Sequence, residues 1–420
     1  MNRLSVAVLA VPLLSGCLVE NLCERQPDLA ECQVTQVEGP ARLVSRRLPL
    51  LGGELVVQVM GSPESVDVLL SPAGLDEKRV PLRLMGDGLW HAMAKPQELW
   101  PTVLPGPVPI KVVTPNQQTA GTLRLYVPPS FGPDVSRSAK IVWLSVVSRH
   151  VIALEQGVTD RTFGDWTYQP PVLTKAASVP LSMAFTVPST ALFGSTETAF
   201  LRLIPSGAGF ALQQSPLGEL RYSDIEASLD YASVTALAAG KRGAGNLLAV
   251  AGEGGSGPFL RAYRLPDGGS AATSRLTVSA STGPLLLISA GTLDDNDSVD
   301  LVSVGKDGSA AVWLATATSL ARDESLSQSL STQLGSDPVR ALSIGDIDRD
   351  GLADVIISRK SQLSWLANQA DGSFAAPSVL LTLPDNATTI DVGLLDGNDS
   401  PDVVVSIQSI TLNAYLNQAQ

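Results

Sequence analysis

From about residue 138 to the end of the chain, short apolar runs rich in β-branched residues alternate with polar turns at a regular interval. LVSVGKDGSAAVWLATA follows Asp300, VIISRKSQLSWLANQADGSF follows Asp354, and VVVSIQSITLNAYLN follows Asp402. Each reads as an apolar strand, a polar turn and a second strand carrying an aromatic residue. The same hairpin is legible in NLLAVAGEGGSGPFLRAYRLPDGG from Asn246, TAFLRLIPSGAGFALQQS from Thr198 and, more faintly, KIVWLSVVSRHVIALEQG from Lys140. Six hairpins at periods of roughly 50 residues predict an array, and strand-rich repeats of this length are the size of propeller blades. A repeat of this kind has an apolar face that it cannot bury alone, and closure into a ring buries every face.

Three of the hairpins are preceded by an acidic loop. In GDIDRDGLAD, Asp346, Asp348, Asp350 and Asp354 stand at positions 1, 3, 5 and 9, Gly351 at position 6 and Leu352 at position 7. Alternate carboxylates in a tight loop can converge on one centre, the glycine permits the turn, and the Leu352 carbonyl can add an oxygen, which predicts a calcium site. An EF-hand would need a glutamate at position 12, where Ile357 stands, and helices on either side, where the flanks read as strands. Two weaker copies place Asp294, Asn296 and Asp300, and Asp396, Asn398 and Asp402, at positions 3, 5 and 9. Thr292 and Leu394 replace the first carboxylate in these copies, so their affinity for calcium should be lower. Asp297 and Asp399 stand where the central loop has glycine, as residues that tolerate a left-handed conformation better than most. The competing reading of all three loops is a turn capped by side-chain hydrogen bonds.

These repeats resemble the FG-GAP and VCBS families, whose blades in integrin α-type propellers carry a D-x-D-x-D-G-x-x-D calcium loop. The resemblance is strongest over residues 283–420, above all in WLANQADGSFAAPSVLLTLPDNATTIDVGLLDGNDSPDVVV, and weak over 138–282. It implies a β-propeller over residues 130–420, with six blades as first choice and five or seven allowed. It also implies that Asp346, Asp348, Asp350 and Asp354 are calcium ligands. The chain ends 18 residues after Asp402, two strands short of a four-stranded blade. The missing strands are therefore expected from the segment around 132–180, closing the ring with strands from both ends.

Residues 38–129 have another texture. ELVVQVMG, SVDVLLS, VPLRLMG, GPVPIKVV and TLRLYVPP alternate in the manner of strands between Pro and Gly turns, predicting a small antiparallel β-sandwich. The stretch loosely resembles immunoglobulin-like domains of the IPT/TIG kind, which often act as spacers in surface proteins.

The chain opens with Arg3, the apolar run LSVAVLAVPLL and LSGC ending at Cys17. The run is too short to span a bilayer. Residues 1–16 resemble a bacterial lipoprotein signal peptide, which implies lipidation of Cys17 and a tether over 17–37; an ordinary secretory peptide is the other reading. Leu18 in place of aspartate points to the outer membrane by resemblance to enterobacterial sorting. In an exported chain Cys23 and Cys32 can form a disulfide, the alternative being two free thiols.

The expected fold is thus all-β, an immunoglobulin-like sandwich followed by a propeller. A formal charge of −12 disfavours nucleic acid and anionic lipid as direct partners. No catalytic constellation stands out: His91 and His150 fall in different predicted domains, and HExxH, G-x-S-x-G and phosphate-cradling glycine motifs do not occur. Trp313, Trp365 and Tyr415 recur at similar hairpin positions, which points to blade packing more than to sugar stacking. SLARDESLSQSLSTQL spaces Leu326, Leu330 and Leu334 four apart, but its serines favour an outer loop over a helix. Two functions follow. One is a non-catalytic, lipid-anchored envelope protein whose calcium-stabilised propeller binds a protein or glycan; the other is a propeller enzyme acting on polysaccharide.

Overall fold

A computed structural model describes residues 41–419, apart from 62, 87, 134, 148, 157–160, 171, 181–191, 196–198, 207–208, 217–222, 230–232, 243–244, 266–273, 279–282 and 297. The expected signal peptide over 1–16 and tether over 17–37, with Cys17, Cys23 and Cys32, and also Asp297, lie outside the described residues. The chain divides into two units, one of residues up to Ser45, Glu54–Ala94 and Pro109–Thr122, the other of Arg46–Gly53, Lys95–Val108 and Leu123–Gln420.

In the first unit, Gly53–Gln58 lies between Arg42–Leu43 and Leu89–Ala94, and Arg83–Gly86 completes that sheet. Asp67–Leu70 pairs with Lys78–Pro81 on one side and with the 110–113 end of Gly106–Val113 on the other. Alternate residues Leu55 and Val57, Val68 and Leu70, and Ile110 and Val112 are buried, as the period of two in the sequence requires.

The second unit contains, among its described residues, six four-stranded sheets. Their first strands are Ile141–Val147, Leu192–Ser195, Ser233–Arg242, Leu285–Gly291, Ala341–Gly345 and Ala387–Gly393. Each first strand lies against the next, and Ala387–Gly393 lies against both Ala341–Gly345 and Ile141–Val147, so the order is cyclic. The third and fourth sheets are also joined at their outer edges, where Thr277–Val278 pairs in parallel with Ser319–Leu320. The architecture is propeller-like and all-β.

Closure differs in detail from the expectation. The sixth sheet takes three strands from the C-terminal end, and its fourth is Val135–Ser138, paired in antiparallel register with Thr411–Tyr415. One strand is supplied from the start of the unit, where two were expected, because residues 141–180 make a complete sheet of their own.

The core is a set of layers between neighbouring sheets. Leu301 and Trp313 face the third sheet, and Val302, Val304 and Val312 on the same strands face the fifth. Val403 and Tyr415 likewise face the fifth sheet, whereas Val404 and Leu412 face the first. Successive residues of a strand point to opposite faces, so each strand serves two layers and must be apolar on both. Asp300–Gly305 and Asp402–Ile407 are accordingly buried at every position.

This register corrects the reading of the aromatic residues. Leu301 pairs with Trp313 and Val403 with Tyr415, but Val355, the residue after Asp354, pairs with Leu366, and Trp365 is one place out of register. Trp365 therefore packs towards the following sheet, against the cluster around Ile390 and Tyr415. All three aromatics serve packing, at two structural positions.

The serine-rich segment is a helix, Glu324–Leu334, contrary to the outer loop expected. Asp323 caps it by accepting from Leu326 N at 2.8 Å, and Leu326, Leu330 and Leu334 are buried in the layer between the fourth and fifth sheets. Its serines are not idle. Ser327 Oγ accepts from Val312 N at 2.9 Å, and Ser331 Oγ accepts from Ala310 N at 3.1 Å and donates to Ala310 O at 2.9 Å. The hydroxyls finish the hydrogen bonding of a strand that runs along the helix.

Candidate metal centre

Each acidic loop joins the first strand of a sheet to the second, and its last aspartate opens the second strand. Gly291 pairs with Asp300, Gly345 with Asp354 and Gly393 with Asp402. One carboxylate oxygen of each final aspartate then has the same partner, a backbone N–H at the end of the third strand. Asp300 Oδ1 accepts from Ala315 N at 2.8 Å, Asp354 Oδ1 from Asn368 N at 2.9 Å and Asp402 Oδ1 from Asn417 N at 2.8 Å.

The second oxygen separates the central loop from the others. Asp300 Oδ2 accepts from Leu293 N at 2.8 Å, and Asp402 Oδ2 accepts from Leu395 N at 2.7 Å. In the central loop the equivalent donor, Ile347 N, turns to Gly345 O at 2.9 Å. Asp354 Oδ2 is left buried with no hydrogen-bond partner, as is Asp346 Oδ1. Carboxylate oxygens of Asp346, Asp348 and Asp354 lie within 4.8 Å of one another. That spread suits oxygens about one calcium–oxygen bond, roughly 2.4 Å, from a common centre. The donor set is all oxygen, which fits a hard cation such as calcium.

Burial without such a cation leaves these groups reluctant to ionise. Burial, reinforced by the charge of Asp350, pushes Asp346 up to about 6. Asp354 is raised well above the usual carboxylate range by burial, with Arg47 opposing the rise. Asp350 is also raised by burial and is opposed by Arg47 and Arg124.

The rest of the loop is held as the sequence suggests. Gly351 takes a left-handed φ of 91°, and its N–H donates to Asp346 Oδ2 at 2.9 Å. Leu352 is buried, and its N–H donates to Asp350 Oδ1 at 2.9 Å.

The two weaker loops are stitched by their own asparagines. Asn296 Nδ2 donates to Asp294 Oδ2 at 2.8 Å and to Ala315 O at 3.1 Å. Asn398 Nδ2 donates to Asp396 Oδ2 at 2.9 Å and to Asn417 O at 3.0 Å. Hydrogen bonds from the loop and from the end of the third strand engage both oxygens of Asp300 and Asp402, and burial raises both of these groups to about 6. Thr292 and Leu394, at position 1, supply no carboxylate. Position 4 is left-handed in the central and third loops, as Arg349 with φ 65° and Gly397 with φ 89°, whereas Asp399 at position 6 does not take the left-handed conformation expected of it.

Two features had not been read from the sequence. Arg47 and Arg124 stand at the central loop: the Arg47 guanidinium pairs with Asp348 Oδ2 and lies 2.8 Å from Asp350 Oδ2. Arg124 Nη1 donates to Asp350 O at 2.8 Å and Nη2 pairs with Asp295. Nothing local in VSRRLPL announces this role. A second feature was legible: Asn-Gln-Ala recurs at 368–370 and 417–419. Asn368 Nδ2 donates to Leu293 O at 2.8 Å and Asn417 Nδ2 to Ile347 O at 3.1 Å, so each asparagine ties its sheet to the acidic loop of the preceding one. Of the two histidines, His91 pairs with Glu54 and His150 with Asp165.

Comparison with known proteins gives a matching picture of the repeats. Residues 346–405 match the model of the FG-GAP-like repeat. No curated protein matches the chain. Among solved structures, the Tc holotoxin pore of Photorhabdus luminescens is similar over 80% of this chain at 12% identity and a TM-score of 0.38, and this chain spans 16% of its length. AofleA from Arthrobotrys oligospora is similar at 10% identity and a TM-score of 0.44, covering 68% of this chain and 87% of that one. An Agrocybe aegerita lectin that recognises non-reducing terminal N-acetylglucosamine is similar at 11% identity and a TM-score of 0.37, covering 86% and 98%. By the family match, residues 346–405 form an FG-GAP-like repeat, and the sheet order places that repeat within a propeller-like, all-β fold.

Proposed function

We propose that this is a non-catalytic, lipid-anchored protein of the bacterial cell envelope, with a calcium-stabilised six-bladed propeller that binds a protein or glycan partner. The observation that carries the reading is the central loop, where buried oxygens of Asp346 and Asp354 lack hydrogen-bond partners beside Asp348. Four aspartates in one small loop repel each other, and a divalent cation converts that repulsion into a cross-link between the first and second strands of the fifth sheet. In this reading calcium is structural, Leu352 contributes its carbonyl, and the two asparagine-stitched loops bind more weakly. The N-terminal unit serves as an immunoglobulin-like spacer above a membrane anchor formed by lipid on Cys17, at the outer membrane, with Cys23 and Cys32 bridged in the tether.

Calcium binding to the folded state alone should raise stability by about 2.7 kcal/mol at a hundredfold excess over Kd. The purified full chain should therefore melt lower with a chelator than with calcium, and Asp348→Ala should remove most of that difference. Equal melting temperatures in both conditions, with no metal in the purified protein, would leave the loop as a polar turn. The anchor has its own test. Cys17→Ser should abolish acylation and release the chain from membranes, and membrane fractionation of an unlipidated chain would refute it. Binding to envelope glycans and proteins, compared with and without calcium, tests the partner class.

A further inference from the structure

The strongest unassigned feature is the cation already at the central loop. Arg47 belongs to the same unit as that loop, in a short strand, Arg47–Pro49, that pairs in parallel with Arg124–Tyr126. Its side chain is 7% exposed, between the ring of Tyr126, 4.6 Å from the guanidinium carbon, and the fully buried carboxylates of Asp348 and Asp350. Val127 N donates to Asp348 O at 3.0 Å, which fixes the partner strand ending at Tyr126 beside the loop.

The oxygens that Arg47 occupies are those a metal would need. Nη2 donates to Asp348 Oδ2, and Nε lies 2.8 Å from Asp350 Oδ2 without hydrogen-bond alignment. Asp348 Oδ1 accepts from Asp350 N at 3.3 Å and Asp350 Oδ1 from Leu352 N at 2.9 Å. With Arg47 seated, the carboxylate oxygens clear of both hydrogen bonds and the guanidinium are Asp346 Oδ1 and Asp354 Oδ2. Calcium takes 6–8 oxygens as a rule, and two free carboxylate oxygens with the Leu352 carbonyl leave most of that shell unfilled while Arg47 holds Asp348 and Asp350. The weaker loops supply the comparison: the oxygen that Arg47 caps on Asp348 is capped on Asp294 and Asp396 by the loop's own asparagine amide. The central loop has aspartate at that place and receives its N–H donor from a distant strand.

We infer that Arg47 is an affinity-setting residue of the calcium site, a built-in counter-ion that occupies the carboxylates at positions 3 and 5 and must withdraw from them when calcium is bound. The inference rests on the calcium reading of the loop and adds a competitor to it. Withdrawal is local, since a long flexible side chain can swing its head group out of the loop while the strand Arg47–Pro49 stays paired. Calcium affinity is then lower than the ligand count implies, and the metal-free loop is held in shape by an arginine.

The test is calorimetric titration of calcium into the full chain and into Arg47→Met, which keeps the stem and removes the charge. Arg47→Met should bind at least about tenfold more tightly, and its melting temperature in chelator should fall below that of the wild type. Folding of Arg47→Met only when calcium is present would support the inference equally, because the metal would then replace the guanidinium. If Arg47→Met does not fold in either condition, Arg47→Lys decides, since an ammonium is a point charge that cannot span two carboxylates in the planar manner of a guanidinium. Its affinity should exceed that of the wild type. Binding that is unchanged or weaker in the folded variant overturns the role of Arg47 and leaves calcium in place. No binding by the wild type or by either variant overturns the calcium reading and this inference together.

Discussion

Asp300, Asp354 and Asp402 are the same residue at the same place in three repeats, and one backbone N–H separates their chemistry. Where position 2 of the loop donates to the carboxylate, both oxygens are engaged; where Ile347 turns to Gly345 O, one oxygen is left for another partner. The pH dependence follows from these groups. Burial holds Asp300 and Asp402 at about 6, above roughly 3.9 for an aspartate in an unfolded chain. Between these values the folded chain keeps protons that the unfolded chain has lost. The stabilisation is fully present below about pH 4 and is lost as pH rises through about 6. Asp346, also at about 6, adds to this trend in the absence of metal. In chelator the chain should therefore melt higher near about pH 5 than near about pH 7.5, as read by scanning calorimetry. Calcium should shrink the difference, because it favours ionised Asp346 and Asp354 and competes with protons for them.

At the scale of elements, the sheets are joined by a few polar groups, buried or half-buried, set among apolar layers. Asp391, in the first strand of the sixth sheet, is the clearest. Its Oδ2 accepts from Ser145 Oγ at 2.9 Å and Val146 N at 2.7 Å on the first sheet. Its Oδ1 accepts from Ser343 Oγ at 3.3 Å on the fifth sheet and from Val392 N at 2.9 Å. Burial raises its carboxyl, and these hydrogen bonds oppose the rise. One side chain thus links three sheets across the point where the two ends of the ring meet. Asp391→Ala would leave partly buried donors without their acceptor, so a loss of about 1–3 kcal/mol in total is expected in urea unfolding. Asp323→Ala, which removes only the cap of the helix Glu324–Leu334, should cost about 1 kcal/mol in the same measurement.

For the whole second unit, closure depends on a strand from its start. Val135–Ser138 completes the sixth sheet, and Arg47–Pro49 and Leu123–Val127 stand beside the central loop. A chain beginning at residue 141 would expose the edge of Thr411–Tyr415 and lose both arginines. It should unfold less cooperatively and at lower temperature than the full chain, and it should aggregate through the open edge, as light scattering would register. A truncated chain that melts with the full one would mean that the strand adds nothing to closure.

The sequence by itself determined the strands, their repeat and the acidic loops, because these depend on local rules. A period of two marks a strand, β-branched runs buried on both faces mark inner strands, and aspartates at alternate places with a glycine mark a loop of converging oxygens. Leu326, Leu330 and Leu334 were legible as a helical stripe, but the serines between them argued the other way until their partners on Ala310 and Val312 were visible. Only the tertiary structure decided which strand closes the ring, which face Trp365 takes and what stands at the central loop. A bulge or turn of one residue reverses the side of a strand, and no periodicity in the sequence counts that residue. Arg47 and Asp348 are 301 residues apart in the chain, and their meeting is a property of the folded unit alone. The loop's charge was written locally, and the charge that answers it was placed by the fold.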